Sequence, residues 1–364
     1  GLGNIDYVNG DYDSAIDKYS QAIERQPEDA FFYRNRGNAY REQGELEAAI
    51  DDYSAAIDLD PQDAEGYLRR AQAYTAQQEY ESALSDLDSA AELQPDEVQV
   101  YIERAYVFSQ QGEFEAAYLE YETALDIDPE NADVYLNRGD TYMAAGETDK
   151  ALADYDKALE LVPDSSAVYA ARANAWYELE EYEKAIDDYS KLLEIDPDDA
   201  VTLNNRCYAY VKLEAYEQAL DDCDQALKLR DDLGFIWDSR AEAYYGMGEF
   251  EKALDDYNQA LELDPELTNS YKYRGFVHKE LGNNEEAIAD LEKYLELEPK
   301  AEDTAEIEAM IKELKSGDSQ QPKPKATPTA EPTKEVPTKE APTATPKATL
   351  EASETITATA EATA

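Results

Sequence analysis

Proline recurs at a fixed interval along most of this chain. Up to residue 316 the prolines are Pro27, Pro61, Pro95, Pro129, Pro163, Pro197, Pro265 and Pro299. Every interval is 34 residues except one of 68, whose midpoint is Asp231. A constant period of this length is typical of an array of identical supersecondary units that stack on their neighbours. With the proline at position 32 of each repeat, a truncated first repeat precedes full repeats that start at Ala30, Ala64, Val98, Ala132, Ser166, Ala200, Gly234 and Thr268.

Other positions of the repeat are constrained in the same register. Position 20 is alanine in all nine repeats, position 8 is Gly, Ala or Cys, and positions 4 and 11 are mostly aromatic. Spacings of 3, 4 and 7 place positions 4, 8 and 11 on one face of a helix, and positions 20, 24, 27 and 28 on one face of a second. Glycine near position 15 and proline at position 32 end these helices. Each repeat is therefore predicted to be a pair of closely packed helices.

This pattern of aromatic, small, aromatic, Ala and Pro residues resembles the tetratricopeptide repeat. The resemblance covers residues 1–301, with the departures Asp231 for proline, Leu192 and Tyr294 for the small residue at position 27, and Leu203 for an aromatic. It implies an all-α, right-handed α-solenoid (superhelix) of tandem 34-residue helix-turn-helix repeats. Residues 302–316 are predicted to form a capping helix, and the Thr/Pro-rich residues 317–364 a disordered, extended tail. Because the first repeat is truncated, we expect a fragment, a processed form, or a subunit whose missing half-helix something else completes.

The charge and the residue counts exclude several classes of function. The chain has 32 Lys and Arg against 84 Asp and Glu, a net charge of −52, which disfavours binding to nucleic acid or to an anionic membrane. No apolar run approaches the ~20 residues that span a bilayer. One His, two Cys and no nucleophile or phosphate-loop motif argue against an enzyme, a cofactor or a metal. The acidic links between repeats lack the Gly and Glu of a calcium loop and are interpreted as helix caps.

Position 7 is Arg in every full repeat, and position 23 is acidic in the same repeats, whereas the truncated repeat lacks both. This covariation predicts an Arg–carboxylate bond between the two helices of each repeat; the alternative is a ladder of arginines that holds an anionic ligand. The pairs are Arg36 and Asp52, Arg70 and Asp86, Arg104 and Glu120, Arg138 and Asp154, Arg172 and Asp188, Arg206 and Asp222, Arg240 and Asp256, and Arg274 and Asp290.

The resemblance also implies a binding surface. In this family, positions 2, 5, 9, 12 and 13 of each first helix line a concave groove that holds extended peptides. The candidates here are Arg34, Asn38, Gln72, Tyr106, Asp140, Asn174, Tyr177, Tyr208, Asp238, Glu242, Tyr245 and Phe276. The alternative for each is packing between repeats. The carboxylate clamp of chaperone-binding members is incomplete, because Arg69 stands where that clamp has Asn.

The resemblance and the acidic charge are consistent with two functions. The first is a non-catalytic scaffold that binds an extended, basic peptide or protein partner in an acidic groove. The alternative is a structural subunit that self-associates end to end into a filament or cell-surface fibre. The Thr/Pro-rich tail resembles bacterial surface stalks, which favours the cell surface or an extracellular location over the cytoplasm. Cys207 and Cys223, at core positions 8 and 24, are predicted to be buried thiols, with a disulfide as the alternative, and His278 to be a packed ring.

Overall fold

A computed structural model describes residues 2–316 of the chain, and the predicted tail lies outside the described residues. The prediction of an all-α solenoid fold is confirmed: within residues 2–316 there are nineteen helices and no strand. The helices form two compact parts, which divide between Asp231 and Asp232 and are described separately. This division falls at the one position 32 where proline is absent.

The N-terminal part contains seven helix pairs. The helices are α1 (Leu2–Val8), α2 (Tyr12–Arg25), α3 (Ala30–Glu42), α4 (Leu46–Leu59), α5 (Ala64–Ala76), α6 (Tyr80–Leu93), α7 (Val98–Gln110), α8 (Phe114–Ile127), α9 (Ala132–Ala144), α10 (Thr148–Leu161), α11 (Ser166–Glu178), α12 (Tyr182–Ile195), α13 (Ala200–Lys212) and α14 (Tyr216–Leu229). Each second helix packs against its own first helix, and the second helices from α2 to α12 also pack against the first helix of the following repeat.

The C-terminal part contains two helix pairs and one further helix. These are α15 (Gly234–Met247), α16 (Phe250–Leu263), α17 (Thr268–Glu280), α18 (Asn284–Leu297) and α19 (Thr304–Ser316). Ile307, Ile311 and Leu314 of α19 are buried in one cluster with Leu291 and Tyr294 of α18. Burial of this apolar stripe gives the last helix pair the cover that a solenoid end requires.

The core of each repeat depends on small residues at its helix contact. The alanine at position 20 is fully buried in all nine repeats. Glycine at position 8 packs against the side chain at position 24: a Cβ on Gly139 would lie 2.5 Å from Cε1 of Tyr155, and one on Gly37 would lie 2.9 Å from Cε1 of Tyr53. The absence of a side chain at these two positions therefore lets a tyrosine ring lie directly on the neighbouring helix backbone.

The turn between the two helices of a repeat requires a left-handed residue at position 15. Glycine provides it in six repeats, for example Gly146 with a φ of 76°. In the other three repeats, Gln78, Glu180 and Glu214 adopt the same conformation with φ values of 58–62°. A non-glycine residue in this region costs about 1 kcal/mol, so packing of the repeat overrides the local preference of these residues.

Candidate functional site

The first helices of successive repeats carry the predicted groove residues, and three of these residues bond within their own repeat. Asn38 Oδ1 accepts a hydrogen bond from Tyr53 Oη at 2.8 Å, Asp140 Oδ1 accepts one from Tyr155 Oη at 2.6 Å, and Asn174 Oδ1 accepts one from Tyr189 Oη at 3.1 Å.

The sequence contained a signal for these bonds that was missed. Wherever position 9 is Asn or Asp, position 24 of the same repeat is Tyr, and the truncated repeat follows the rule with Asn4 and Tyr19, 3.0 Å apart. Because these tyrosine rings are buried, each hydroxyl needs a partner, and the position-9 oxygen supplies it. These position-9 oxygens therefore stabilise their own repeat by accepting the hydrogen bond of its buried tyrosine.

Arg34 is held by a neighbouring repeat. Its guanidinium pairs with the carboxylate of Asp63, the residue that precedes α5. Asp63 makes no side-chain cap to that helix, in contrast to Asp29 and Asp199, which accept bonds from backbone N–H groups of α3 and α13. The interpretation of the acidic links as helix caps is therefore wrong at Asp63, because Arg34 competes for its carboxylate.

Gln72 connects three successive first helices. Its Oε1 accepts from Arg41 Nη1 of α3 at 2.6 Å, and its Nε2 donates to Glu103 Oε1 of α7 at 2.6 Å. Arg69, one turn earlier on α5, also donates to Gln72 Oε1, at 3.2 Å. Polar side chains from α3, α5 and α7 thus form one continuous network across this surface. Tyr106 lies beside it on α7 and is 43% exposed.

Further along the N-terminal part, the predicted tyrosines contact each other. The rings of Tyr177 and Tyr208 stack with centroids 5.9 Å apart, and Tyr177 also meets Tyr182 edge to face at 5.2 Å. The Lys212 ammonium lies 4.2 Å from the centroid of the Tyr208 ring. The structure therefore brings two of the predicted groove residues together in a small aromatic cluster on α11 and α13.

In the C-terminal part, the predicted residues are more deeply packed. Tyr245 lies 6.2 Å from Tyr273, and Phe276 meets Tyr273 edge to face at 5.8 Å. Asp238 accepts a hydrogen bond from Ser270, and Glu242 is buried. This face of α15 and α17 is therefore largely occupied by contacts within the protein.

The arginines at position 7 each lie against the carboxylate at position 23 of their own repeat. In Arg138, for example, Nε donates to Asp154 Oδ2 at 2.7 Å and Nη2 to Oδ1 at 2.8 Å. The same two-bond geometry joins Arg36 to Asp52, Arg70 to Asp86, Arg172 to Asp188, Arg206 to Asp222, Arg240 to Asp256 and Arg274 to Asp290. All seven pairs with two bonds have Asp at position 23, whose short side chain allows both carboxylate oxygens to face the guanidinium. Arg104, whose partner is the longer Glu120, makes only one bond to it, at 2.6 Å.

Several of these arginines reach a third helix, which the sequence reading did not anticipate. Nη1 of Arg36 and Arg70 donates to a serine in the second helix of the preceding repeat, at 2.9 Å in both cases, and Arg172 donates to Asp156 there at 2.5 Å. Most of the guanidinium groups also lie within 6 Å of aromatic rings at positions 4 and 11; Arg36, for example, lies between Tyr33 and Tyr40. These arginines therefore pair with carboxylates of their own repeat, and several of them also connect that repeat to the second helix of the preceding one.

The two cysteines are joined. Cys207 of α13 and Cys223 of α14 form a disulfide with a Cα–Cα distance of 5.7 Å, and both are fully buried. Both cysteines are buried as predicted, but the prediction that they are thiols is wrong: the disulfide given as the alternative forms because positions 8 and 24 face each other across the helix contact. Burial lowers the pKa of His278, whose Nε2 lies 3.9 Å from Asp290, as expected for a packed ring.

Among residues 2–316 no group of His, Cys, Asp or Glu side chains is arranged to hold a metal ion. The acidic links bond to their own backbone instead; Asp60 Oδ1 accepts from Gln62 N at 3.1 Å. Over the same residues, each helix is too short or too polar to cross a membrane.

These features define a class of protein: an α-solenoid of stacked helix-pair repeats with an extended surface on its first helices. Sequence profiles of the tetratricopeptide repeat match residues 1–64 and 136–200, 64–97, and 249–312, and a profile described as TPR repeat matches residues 105–146. The chain is a tetratricopeptide repeat protein, as its 34-residue pattern predicted.

Two solved structures show the same fold, and a third is similar over about half of the chain. A tetratricopeptide repeat protein from Parabacteroides merdae ATCC 43184 is 21% identical with a TM-score of 0.54, covering 69% of this chain and 98% of its own. Cut9-Hcn1, from the APC/C hetero-tetramer, is 15% identical with a TM-score of 0.53, covering 83% of this chain and 58% of its own. YrrB, described as a TPR protein with an unusual peptide-binding site, is 24% identical with a TM-score of 0.41, covering 52% of this chain and 97% of its own. A search of curated protein sequences gave no match.

Proposed function

We propose that this protein is a non-catalytic protein-interaction scaffold that binds an extended, basic segment of a partner along its first helices. Tetratricopeptide repeats serve as binding surfaces for proteins and peptides, which supports the scaffold role. The partner's extended conformation and its basic character are the specific parts of the proposal.

The observation that supports this role is side-chain contact between the first helices of successive repeats, which involves the predicted groove residues Gln72, Tyr177 and Tyr208. Gln72 bonds to Glu103, and Tyr177 stacks on Tyr208, each pair joining two first helices. Side chains that meet across repeats form a surface longer than one repeat, which suits an extended peptide. Their half-buried polar and aromatic groups can bond a peptide backbone and bury apolar stems.

Charge supports the basic character of the partner. Residues 1–316 contain 27 Lys and Arg against 77 Asp and Glu, and the eight position-7 arginines direct their charge at acidic side chains inside the repeats. The remaining surface is strongly acidic, so a basic segment would be attracted to it and an acidic one repelled.

Selection of a random peptide library on the full chain tests the proposal. We expect enriched peptides to be basic and their affinity to fall as salt rises. Tyr106→Ala, on a first helix, should weaken their binding, whereas Leu119→Ala should not, because Leu119 is 62% exposed on the second helix α8. Enrichment of acidic or neutral peptides, or a greater loss for Leu119→Ala, would contradict the proposal.

One observation weighs against the filament alternative. End-to-end stacking requires an open apolar face at each end of the array, and α19 covers that face of α18 with Ile307, Ile311 and Leu314. Sedimentation of the purified chain over a range of concentrations tests this alternative directly, since a filament subunit forms larger species as concentration rises.

A further inference from the structure

The first helices α5 and α7, together with the start of α6, line a hollow of about 310 Å³ that opens to solvent. We name it the Glu103 hollow. Its lining includes Gln72, Thr75, Tyr80, Glu103, Tyr106 and Gln110. One carboxylate, two phenol rings and several amides therefore face the same space, on the surface proposed above for peptide binding.

Position 12 of repeat 3, the repeat that starts at Ala64, is a small residue that lines the hollow. Counting the truncated repeat as the first, repeats 6 and 8 start at Ser166 and Gly234 and have Tyr177 and Tyr245 at position 12. The ring of each packs against the position-17 ring of its own repeat and against a tyrosine of the next first helix. Repeat 3 has Thr75 instead, while Tyr80 at position 17 is retained. Space that a tyrosine ring fills in the other two repeats is therefore left open beside Tyr80 and Tyr106.

Glu103 gives the hollow its charge. Its Oε1 accepts from the amides of Gln72 at 2.6 Å and Gln99 at 3.0 Å, and within residues 2–316 these neutral groups are its only hydrogen-bond donors. The two arginines that bond to Gln72 form ion pairs with other carboxylates: Arg41 with Glu42 at 2.8 Å, and Arg69 with Glu65 at 2.6 Å. The Glu103 carboxylate therefore keeps its negative charge unmatched at the wall of a partly enclosed site.

We propose that the Glu103 hollow is the subsite that takes a cationic side chain of the bound segment, an arginine or a lysine. This inference rests on the proposed function and specifies where its basic residue binds. The Glu103 carboxylate would pair with the cation, and the rings of Tyr80 and Tyr106 would contact its stem and its charged group.

The lining favours arginine over lysine. A guanidinium presents five N–H donors in a plane, and the hollow offers carboxylate, amide and hydroxyl oxygens around two flat rings. A lysine ammonium concentrates its three donors at one point and is more strongly hydrated. We therefore expect the hollow to take both and to bind arginine more tightly.

Three tripeptide amides with acetylated N-termini and a central arginine, lysine or citrulline test this inference. Each is titrated into the full chain and followed by NMR; citrulline has the shape of arginine without the charge. We expect arginine to bind in the millimolar range, lysine more weakly, and citrulline at least about fivefold more weakly than arginine.

Two substitutions place the binding at this site. Glu103→Gln keeps the hydrogen bonds to Gln72 and Gln99 but removes the charge, and should reduce affinity for the arginine peptide to that for citrulline. Thr75→Tyr copies the residue that repeats 6 and 8 carry at position 12, so it should fold normally and abolish binding. Glu92→Gln, which removes an equal charge from an exposed site on α6, should leave affinity unchanged.

Equal affinity for arginine and citrulline, no binding of any probe, or full binding by Thr75→Tyr with an unchanged unfolding temperature would each overturn the inference. Failure of the proposed function has a different signature. In that case library selection gives no basic peptides that depend on Tyr106, whatever the tripeptides do at the hollow.

Discussion

The bond between Arg138 and Asp154 should be strongly coupled, and a double-mutant cycle measures that coupling. Among the residues that the structure describes, Arg138 donates hydrogen bonds to the Asp154 carboxylate alone, because it lacks the third bond that Arg36 makes to Ser20. The cycle of Arg138→Ala, Asp154→Ala and the double variant therefore isolates the energy of this one pair.

The magnitude follows from burial. Asp154 is only 7% exposed, so Arg138→Ala leaves a buried carboxylate without its partner and should cost about 3 kcal/mol. That substitution also removes contacts with the rings of Tyr135 and Tyr142, 5.6 and 5.9 Å from the guanidinium carbon. Asp154→Ala should cost less, about 2 kcal/mol, because the arginine can turn to solvent. The double variant should cost about 1–2 kcal/mol less than the sum of the two.

Hydrogen exchange of the amides in α9 and α10 is the suitable assay, because repeat arrays can open locally and need not unfold in one step. The control is the pair Lys157 and Glu160, also 2.8 Å apart but with side chains 44% and 68% exposed, where we expect no measurable coupling. Coupling in the Arg138 cycle no larger than in this control would refute the interhelical role and favour the ligand-binding alternative for the arginine ladder.

Four further predictions concern the whole chain and three sites. Because a net charge of −52 causes self-repulsion, the unfolding temperature should rise between low and molar salt, and a flat profile would contradict this. Although Asp140 is exposed, the protein packed around it raises the pKa of its carboxyl to about 6 from 3.8, so the folded chain holds more protons than the unfolded chain between these pH values. Its contribution to stability should therefore increase as pH falls from 7 to 4, and Asp140→Asn should remove that contribution in pH-dependent thermal unfolding. Reduction of the disulfide between Cys207 and Cys223, which are 16 residues apart, should cost about 3 kcal/mol in denaturant titrations with and without reductant. Glu214→Gly should stabilise the chain by about 0.5–1 kcal/mol, because residue 214 has a φ of 58°. Glu217→Gly, in the first turn of α14, should instead destabilise the chain by a similar amount, and equal effects of the two substitutions would show that the left-handed turn is not strained.

Interactions set by spacing within one repeat could be predicted from the sequence. Alanine at position 20 and the small residue at position 8 repeat at every helix contact, so their burial followed from the period alone. The position-7 arginines and their acidic partners varied together within the chain, which placed them against each other. The position-9 and position-24 pairs were equally regular, as Asn38 and Tyr53 show, although the resemblance to peptide-binding proteins predicted Asn38 to be a ligand contact.

Contacts between repeats could not be predicted from the repeat period. The competition of Arg34 for Asp63, the network through Gln72 and the hollow beside Glu103 all depend on how one first helix lies against the next. The period determines which residues occupy each position, and therefore the helices, the turns and the core. The distance and tilt between neighbouring helices determine whether two long polar side chains meet or leave a space, and these follow only from the packing of the whole array.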